Sequence, residues 1–472
     1  MRRTKIVCTI GPASSHATTL RRMMNAGMDV ARINFSHGTP AEHSAAIERV
    51  RSVAAALGKN IAILQDLSGP KVRIGVLPSG SVTLRRNDLV TFSLEPASPG
   101  TIPLPFPELI HAVHEGDRLV ADDGLLVFRV VTRSSSEIVA RVQVGGTLTS
   151  HKGLTAPGVP LAINAVTPKD LEDLKLGLPA GVDWVAASFV RSAEDLEPLR
   201  QCMAAQGVTK PIIAKIERME AVRAIHSIVD AADGIMVARG DLGVEIPIDE
   251  VPEVQKHIIA LCRRAGKPVI TATQMLESMT HNPMPTRAEV TDVANAILDG
   301  TDAVMLSAET AVGEYPVEAV RMMARIARRT DDHVGTSSVV EEERALTRKV
   351  PAEAVAHATV EIATQLQAAL IITATTSGFT ARLIAKYRPR TPIVAVTPSE
   401  DTFRALAVTW GVTPVLIEPV RDTDHMMNAA LAAVVRLKLA PMGSRVVLTA
   451  GVPVNVIGTT NLIRLHTLGQ EP

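Results

Sequence analysis

Along this chain short apolar runs recur, each closing on polar or small residues, and most are followed by a stretch with helical spacing. They fall at residues 5–10, 30–34, 61–66, 183–188, 211–215, 234–238, 268–272 and 302–306. Runs of this length, alternating with helix-period segments, predict parallel strands joined by crossover helices. Eight such units of similar weight predict a closed (β/α)8 TIM barrel, an α/β architecture, in preference to an open doubly wound sheet. The clearest unit is PIIAKIERMEAVRAIHSIVDAADGIMVARGDLG, residues 211–243. Its pattern predicts a strand leading into Lys215 and Glu217, a helix over 221–232, and a strand at 234–238 that ends in Arg239, Gly240 and Asp241.

Two other patterns break the rhythm. From 70 to 164 the segments VTLRRNDLVTFSL, DRLVADDGLLVFRVVTR and EIVARVQVGG alternate apolar and polar positions, with turn residues between them and no long helical period. They predict a small all-β domain inserted after the third barrel strand. Hinged at the C-terminal face, such a domain suits a lid over the barrel mouth. A long helix is expected at 316–329, then a charged linker at 331–349. From 351 the βα rhythm resumes, with helices at 352–366 and 380–387 and strands at 370–373, 393–396, 445–449 and 463–466. The expected domains are a barrel of residues 1–69 and 165–345, a β lid of 70–164 and a C-terminal α/β domain of 346–472.

Composition narrows the partners. Lys plus Arg equals Asp plus Glu, at 49 each, and aromatic residues are 2% of the chain. Balanced charge and few aromatic rings leave no footprint for nucleic acid. Cys8, Cys202 and Cys262 lie far apart and match no zinc spacing, so they read as buried thiols in a reducing compartment. The apolar run near the N-terminus stops at Gly11-Pro12, too short for a signal peptide or a membrane span. A cytoplasmic protein without a membrane partner is expected.

The strand ends carry the chemistry. Lys215 and Glu217, two apart on a strand, project from one face. With Asp241 at the end of the next strand they would converge where α/β barrels place their sites. Two carboxylates and a lysine suit a divalent metal and an anionic substrate, or else a salt bridge that closes a strand end. The segment ARINFSHG brings Arg32, Asn34, Ser36 and His37 to the second strand end, and LQDLSGPKVR brings Asp66, Lys71 and Arg73 to the third. Arginine offers planar oxyanions a fork of donors, so Arg32 and Arg73 are natural phosphate ligands. Glycines flank Asp241 and allow close backbone approach to a ligand, or simply a strand-to-helix turn. Thr273 in TATQMLESM is a donor to a substrate oxygen or a helix N-cap. TRAEVTDVANAILDG reads as contributing to the site or as a polar network supporting it.

At this point KIVCTIGP, ARINFSHG, GPKVR, VAASFVR, AKIE, DGIMVARGDLGVEIP, TATQMLESM and PTRAEVTDVANAILDGTDAVMLS resemble pyruvate kinases, over nearly the whole chain. The resemblance implies glycolytic phosphoryl transfer from phosphoenolpyruvate to ADP, giving ATP and an enolate that is protonated to pyruvate. It implies Glu217 and Asp241 as ligands of Mg2+ or Mn2+, and Lys215 as the charge that stabilises the phosphoryl group in flight. Arg32 and Arg73 match phosphoryl-binding arginines. Gly240, Asp241 and Thr273 match the segment that holds substrate, and Ser307 matches a serine near the proton relay. Asn34, His37, Arg73 and Lys152 match nucleotide contacts. A homotetramer is also implied.

Three departures from the family pattern follow. LSAET has Ala308 where most relatives have glycine. The K+ site of many relatives matches Asn34, Ser36, Asp66 and a threonine, but that threonine is Leu67 here, and Lys71 stands where K+-dependent relatives carry glutamate. An ammonium there supplies the charge that K+ supplies elsewhere, so no K+ requirement is expected. The sequence ends four residues after Leu468, and no appended phosphotransfer domain is expected. In the C-terminal domain TTSGFT places Thr375, Thr376, Ser377, Gly378 and Thr380 at a helix start, which suits a phosphate. The segment resembles the effector loop of the family and implies a sugar phosphate or AMP as activator; a structural cap has the same sequence pattern. The competing readings of the whole chain are a metal-dependent aldolase or lyase on a barrel, and a non-catalytic homologue kept for binding.

Overall fold

The computed structural model describes residues 2–95, 100–334, 350–453 and 458–470. Eight parallel strands close a barrel: Lys5–Ile10, Val30–Asn34, Ala62–Asp66, Trp184–Ala187, Ile212–Ile216, Gly234–Ala238, Val269–Ala272 and Ala303–Leu306. Each pairs with the next in the chain, and the last closes on the first through Lys5–Ala303 to Cys8–Leu306. Every run read as a strand from the sequence is one.

The period of two along these strands sorts the side chains. Val7, Val30, Leu64, Trp184, Ala186, Ile213, Met236, Ile270 and Met305 fill the barrel interior. Ile6, Cys8, Val185, Ala214, Ile235, Val237 and Val304 alternate with them and pack outward under the helices. Continuing upward on the inward face, the same alternation reaches Thr9, Arg32, Asp66, Ser188, Lys215, Glu217 and Ser307. The interior is therefore apolar at its base and charged at its C-terminal mouth.

The lid leaves after the third strand and returns before the helix Pro168–Ala180. It is a six-stranded sheet with a two-stranded partner, around a core where Phe92 and Phe128 meet edge to face at 5.3 Å. A short α-helix, Pro107–Ala112, and a 3-10 turn, Asp122–Gly124, interrupt the expected all-β pattern. The C-terminal domain is a five-stranded sheet with apolar layers on both faces. Its edge strand Val412–Leu416 and helix Thr423–Arg436 were not expected. Pro414 masks the strand in the sequence, since proline is tolerated only where no ladder donor is needed, as at a sheet edge.

Two expectations are corrected. The helix expected at 221–232 is two, Met219–Arg223 and Ile225–Ala231, broken at Ala224. The helix from Pro316 runs on to Val334, so Asp331 begins no linker. Asp331 is fully buried and accepts hydrogen bonds from Arg3 N, Thr4 N, Thr4 Oγ1 and Trp410 Nε1. The remainder of the expected linker, 335–349, lies outside the described residues. Of the thiols expected to be buried, Cys8 and Cys262 are buried and Cys202 is half-buried.

Candidate active site

Lys215 stands at the centre of the barrel mouth. Its Nζ lies 2.8 Å from Glu217 Oε1 and 3.3 Å from Asp66 Oδ1, and donates to Ser188 Oγ at 2.7 Å. Burial works against its charge, but Asp66 and Glu217 outweigh it and hold the ammonium above its ordinary range. A lysine set this way stays charged at neutral pH and serves as a fixed cation, not as a base. Asp66 mirrors it: burial opposes its charge, and Arg32 and Lys215 hold it below the usual carboxylate range. Arg32 donates to Asp66 Oδ2 at 2.5 Å and to Thr9 Oγ1 at 2.9 Å, which orients its guanidinium at the mouth.

Glu217 is pushed up by burial first; Lys215 draws it back, and the negative charge of Asp241 adds to the rise. Phe189 N donates to its second oxygen at 2.7 Å. Asp241 lies in the helix Arg239–Glu245, which starts directly on the strand end, so the glycines beside it belong to a strand-to-helix junction. Lys71 Nζ lies 3.6 Å from Asp241 Oδ1. Glu217, Asp241 and Lys71 line one cleft between barrel and lid, with about 590 Å3 of open space. Two carboxylates that repel across a cleft, with ammonium groups drawn onto them, suit a hard divalent cation that takes its other oxygens from substrate and water. Among the described residues no group of three or more Asp, Glu, His or Cys side chains is arranged to hold a metal ion by itself.

Gly240 N donates to Thr273 Oγ1 at 2.7 Å, and that hydroxyl donates to Ala272 O at 2.6 Å. Thr273 has φ +66° and caps no helix. Arg239 braces this turn through Thr273 O at 2.8 Å and Asp292 at 2.8 Å, so TRAEVTDVANAILDG is the supporting network. Thr271 is buried and bonded to Thr301. Ser307 N donates to Glu309 Oε2 at 2.7 Å, while its Oγ has no protein partner.

On the opposite side His37 is exposed; burial, then Arg73, Lys71 and Arg32, hold its imidazole below its ordinary value. Arg73 donates to His151 O at 3.0 Å, and Lys152 pairs with Asp122 of the lid at 2.6 Å. Asn34 Oδ1 accepts from Ser36 N at 3.2 Å. Leu67 is packed in the apolar core.

Ser188 and Phe189 were missed as site residues. Ser188 accepts from Lys215 and donates to Leu67 O at 2.7 Å, tying the lysine to the start of the lid hinge. The signal was present, since Ser188 follows the fourth strand on its inward face. Phe189 acts through its backbone, at φ +54°, which no side-chain pattern reveals.

The family model for the pyruvate kinase barrel domain matches residues 1–320, and that for the pyruvate kinase alpha/beta domain matches residues 353–466. Among curated relatives, a pyruvate kinase of Geobacillus stearothermophilus is 46% identical over 99% of this chain and 80% of its own length. Pyruvate kinase 2 of Synechocystis is 46% identical over 99% of this chain and 79% of its own. A pyruvate kinase of Staphylococcus saprophyticus is 44% identical over 100% of this chain and 81% of its own. Matches across the barrel and the C-terminal domain, around a lysine, two carboxylates and an arginine at the barrel mouth, mean that the chain belongs to the pyruvate kinase family.

Proposed function

We propose that the charged strand ends perform phosphoryl transfer from phosphoenolpyruvate to ADP, giving pyruvate and ATP, with the roles that follow. The observation that carries this reading is Lys215, an ammonium kept charged inside the barrel between Asp66 and Glu217, in reach of the cleft that Asp241 lines. Phosphoryl transfer asks a protein chiefly for positioning and charge neutralisation. Lys215 neutralises the moving phosphoryl group, and Arg32, oriented by Asp66 and Thr9, holds its oxygens. Gly240, Asp241 and Thr273 receive the substrate carboxylate on a turn braced by Arg239. Glu217 and Asp241 would hold Mg2+ or Mn2+, which would supply Lewis-acid neutralisation of negative charge on the substrate. Ser307, with its hydroxyl unpartnered, belongs to the proton relay. Asn34, His37, Arg73 and Lys152 receive the nucleotide, and a neutral His37 accepts a hydrogen bond at pH 7.

Domain boundaries at 69/70 and 164/165 fit this division of labour, barrel for chemistry, lid for closure and C-terminal domain for regulation; the boundary expected at 345/346 lies outside the described residues. A homotetramer and a cytoplasmic location complete the reading. No helix among the described residues is long and apolar enough to cross a membrane.

Activity without K+ belongs to the same proposal. Lys71 lies in the cleft on Asp241, and the oxygens of Asp66 are engaged by Arg32 and Lys215. Both facts support fixed cations in place of a monovalent ion. The test is pyruvate formation from phosphoenolpyruvate, ADP and Mg2+ with tetramethylammonium as the only monovalent cation. Full turnover is expected, and Lys71→Glu lowers it and makes it partly recoverable by K+. No pyruvate under any salt would refute the reaction; turnover that appears only with K+ would refute the role of Lys71 alone.

A further inference from the structure

The lid returns to the barrel through residues 154–161, and three side chains hold this limb from below. Thr155 Oγ1 donates to Glu245 Oε1 at 2.7 Å. Arg218 Nη2 donates to Val159 O at 3.3 Å, and its Nη1 lies 3.6 Å from the same Glu245 oxygen. Arg191 Nη1 donates to Leu161 O at 3.2 Å and is itself held by Asp195 at 3.0 Å. Each of the three is joined to the proposed site. Arg218 follows Glu217. Glu245 is one turn beyond Asp241 in the helix Arg239–Glu245. Arg191 is two residues past Phe189, whose N–H holds Glu217.

The Arg218 and Glu245 side chains are only 9% and 6% exposed. A buried ion pair tolerates little displacement, because separating it leaves uncompensated charge. On the lid side, Thr155 adjoins the pairing that carries the nucleotide residues: Leu154 N donates to Val72 O at 3.1 Å, and Ile74 N to Lys152 O at 3.0 Å. A shift at Thr155 therefore moves Lys152 and Arg73 relative to Lys215.

We infer that Glu245, braced by Arg218, is a positioning residue for the lid: it accepts the Thr155 hydroxyl and registers Lys152 and Arg73 over the phosphoryl-transfer site. This rests on the reaction proposed above. It requires the pair to matter for steps that use the nucleotide, and not for steps the barrel performs alone.

The experiment compares Thr155→Val, Thr155→Ser and Glu245→Gln with the unmodified protein. Two reactions are followed: phosphoryl transfer to ADP, and proton exchange at pyruvate with metal and inorganic phosphate in place of nucleotide. Thr155→Val is expected to lower kcat/KM for ADP about tenfold, the size of a small misplacement of reacting groups. Proton exchange stays within about twofold, because the barrel groups are untouched. Thr155→Ser keeps the donor and restores transfer. Thr155→Val combined with Glu245→Gln costs little more than the larger single loss, since both break one contact. Thr155→Val with normal ADP kinetics, or with transfer and exchange falling together, overturns the inference. Failure of the unmodified protein to form pyruvate overturns the reaction instead.

Discussion

Two opposed demands meet at Lys215: burial, and two neighbouring carboxylates. The carboxylates outweigh the burial and hold the ammonium above its ordinary range. Lys215→Met is expected to lower phosphoryl transfer by about 10^3-fold or more, the scale of losing a preorganised electrostatic contact. The same change should spare proton exchange at pyruvate more than Asp241→Asn does, since the proposed roles put Lys215 on the phosphoryl group and Asp241 on the divalent cation. Equal loss of both reactions in Lys215→Met would contradict that division. Asp66 allows a test by pH. Its folded value lies below the ordinary 3.8, so its contribution is fully present above that pH and is lost as pH falls through the folded value. Asp66→Asn should destabilise the protein by about 3 kcal/mol at pH 7, since it strands two buried cations. In urea unfolding the gap to the unmodified protein should narrow below pH 3.8; a gap constant across pH would place the effect elsewhere. These residue types were legible because each strand end presents them two apart. The inward position of Ser188 was legible too, but that its hydroxyl accepts from Lys215 was not, because a serine after VAA carries no mark of its partner.

Among elements, strands were easier to read than helix ends. Their short apolar runs stop where charge begins, and the barrel imposes that stop at the same height on each. Several helices start on sequence signals: Thr39, Thr167 and Thr286 each form a capping box with an acidic residue three positions on. Glu289 of the third box also accepts from Ser278 N at 2.7 Å, so one cap also ties down TATQMLESM. The helix Pro316–Val334 shows the limit. Its last turn carries Asp331 and Asp332, polar residues that resemble a linker, yet Asp331 faces inward and gathers donors from the N-terminus and from Trp410. Asp331→Ala should cost about 3 kcal/mol in denaturant unfolding, through several buried donors left unpaired. Turnover per folded molecule should be unchanged, because this anchor lies beneath the base of the barrel, away from the mouth. A variant of full stability would show those donors satisfied by water.

For the whole molecule, the contact between barrel and C-terminal domain is as informative as the mouth. Ala405, Ala407 and Val408 pack into the base of the barrel, and Ala405 O accepts from Trp184 Nε1 at 3.0 Å. Arg388 of the C-terminal domain donates to Asp302 Oδ1 at 3.1 Å and to Gly300 O at 2.6 Å. The same domain carries the proposed effector loop. Thr375 Oγ1 accepts from Gly378 N at 2.9 Å, and Thr402 Oγ1 donates to Thr376 O at 2.6 Å. Thr375, Thr376, Ser377 and Thr380 line a cleft of about 520 Å3. Titration with sugar phosphates and AMP should lower the phosphoenolpyruvate half-saturation, and Ser377→Asp should remove the response by repelling phosphate. No response to any of them, with Ser377→Asp unchanged, would leave the loop as a helix start only.

The sequence by itself determined the barrel, the point where the lid is inserted, four of the five strands of the C-terminal domain and the identity of the charged groups at the mouth. Each rests on local periodicity or on residue type at a strand end, and neither depends on distant contacts. Only the tertiary structure decided which charges neutralise which. That Asp66 serves both Arg32 and Lys215, that Asp331 is a buried anchor, and that Glu245 reaches Thr155 across 90 positions follow from how strands and domains come together in space. Electrostatic and hydrogen-bond partners are chosen by distance in three dimensions, and a pattern read along the chain contains no such distance.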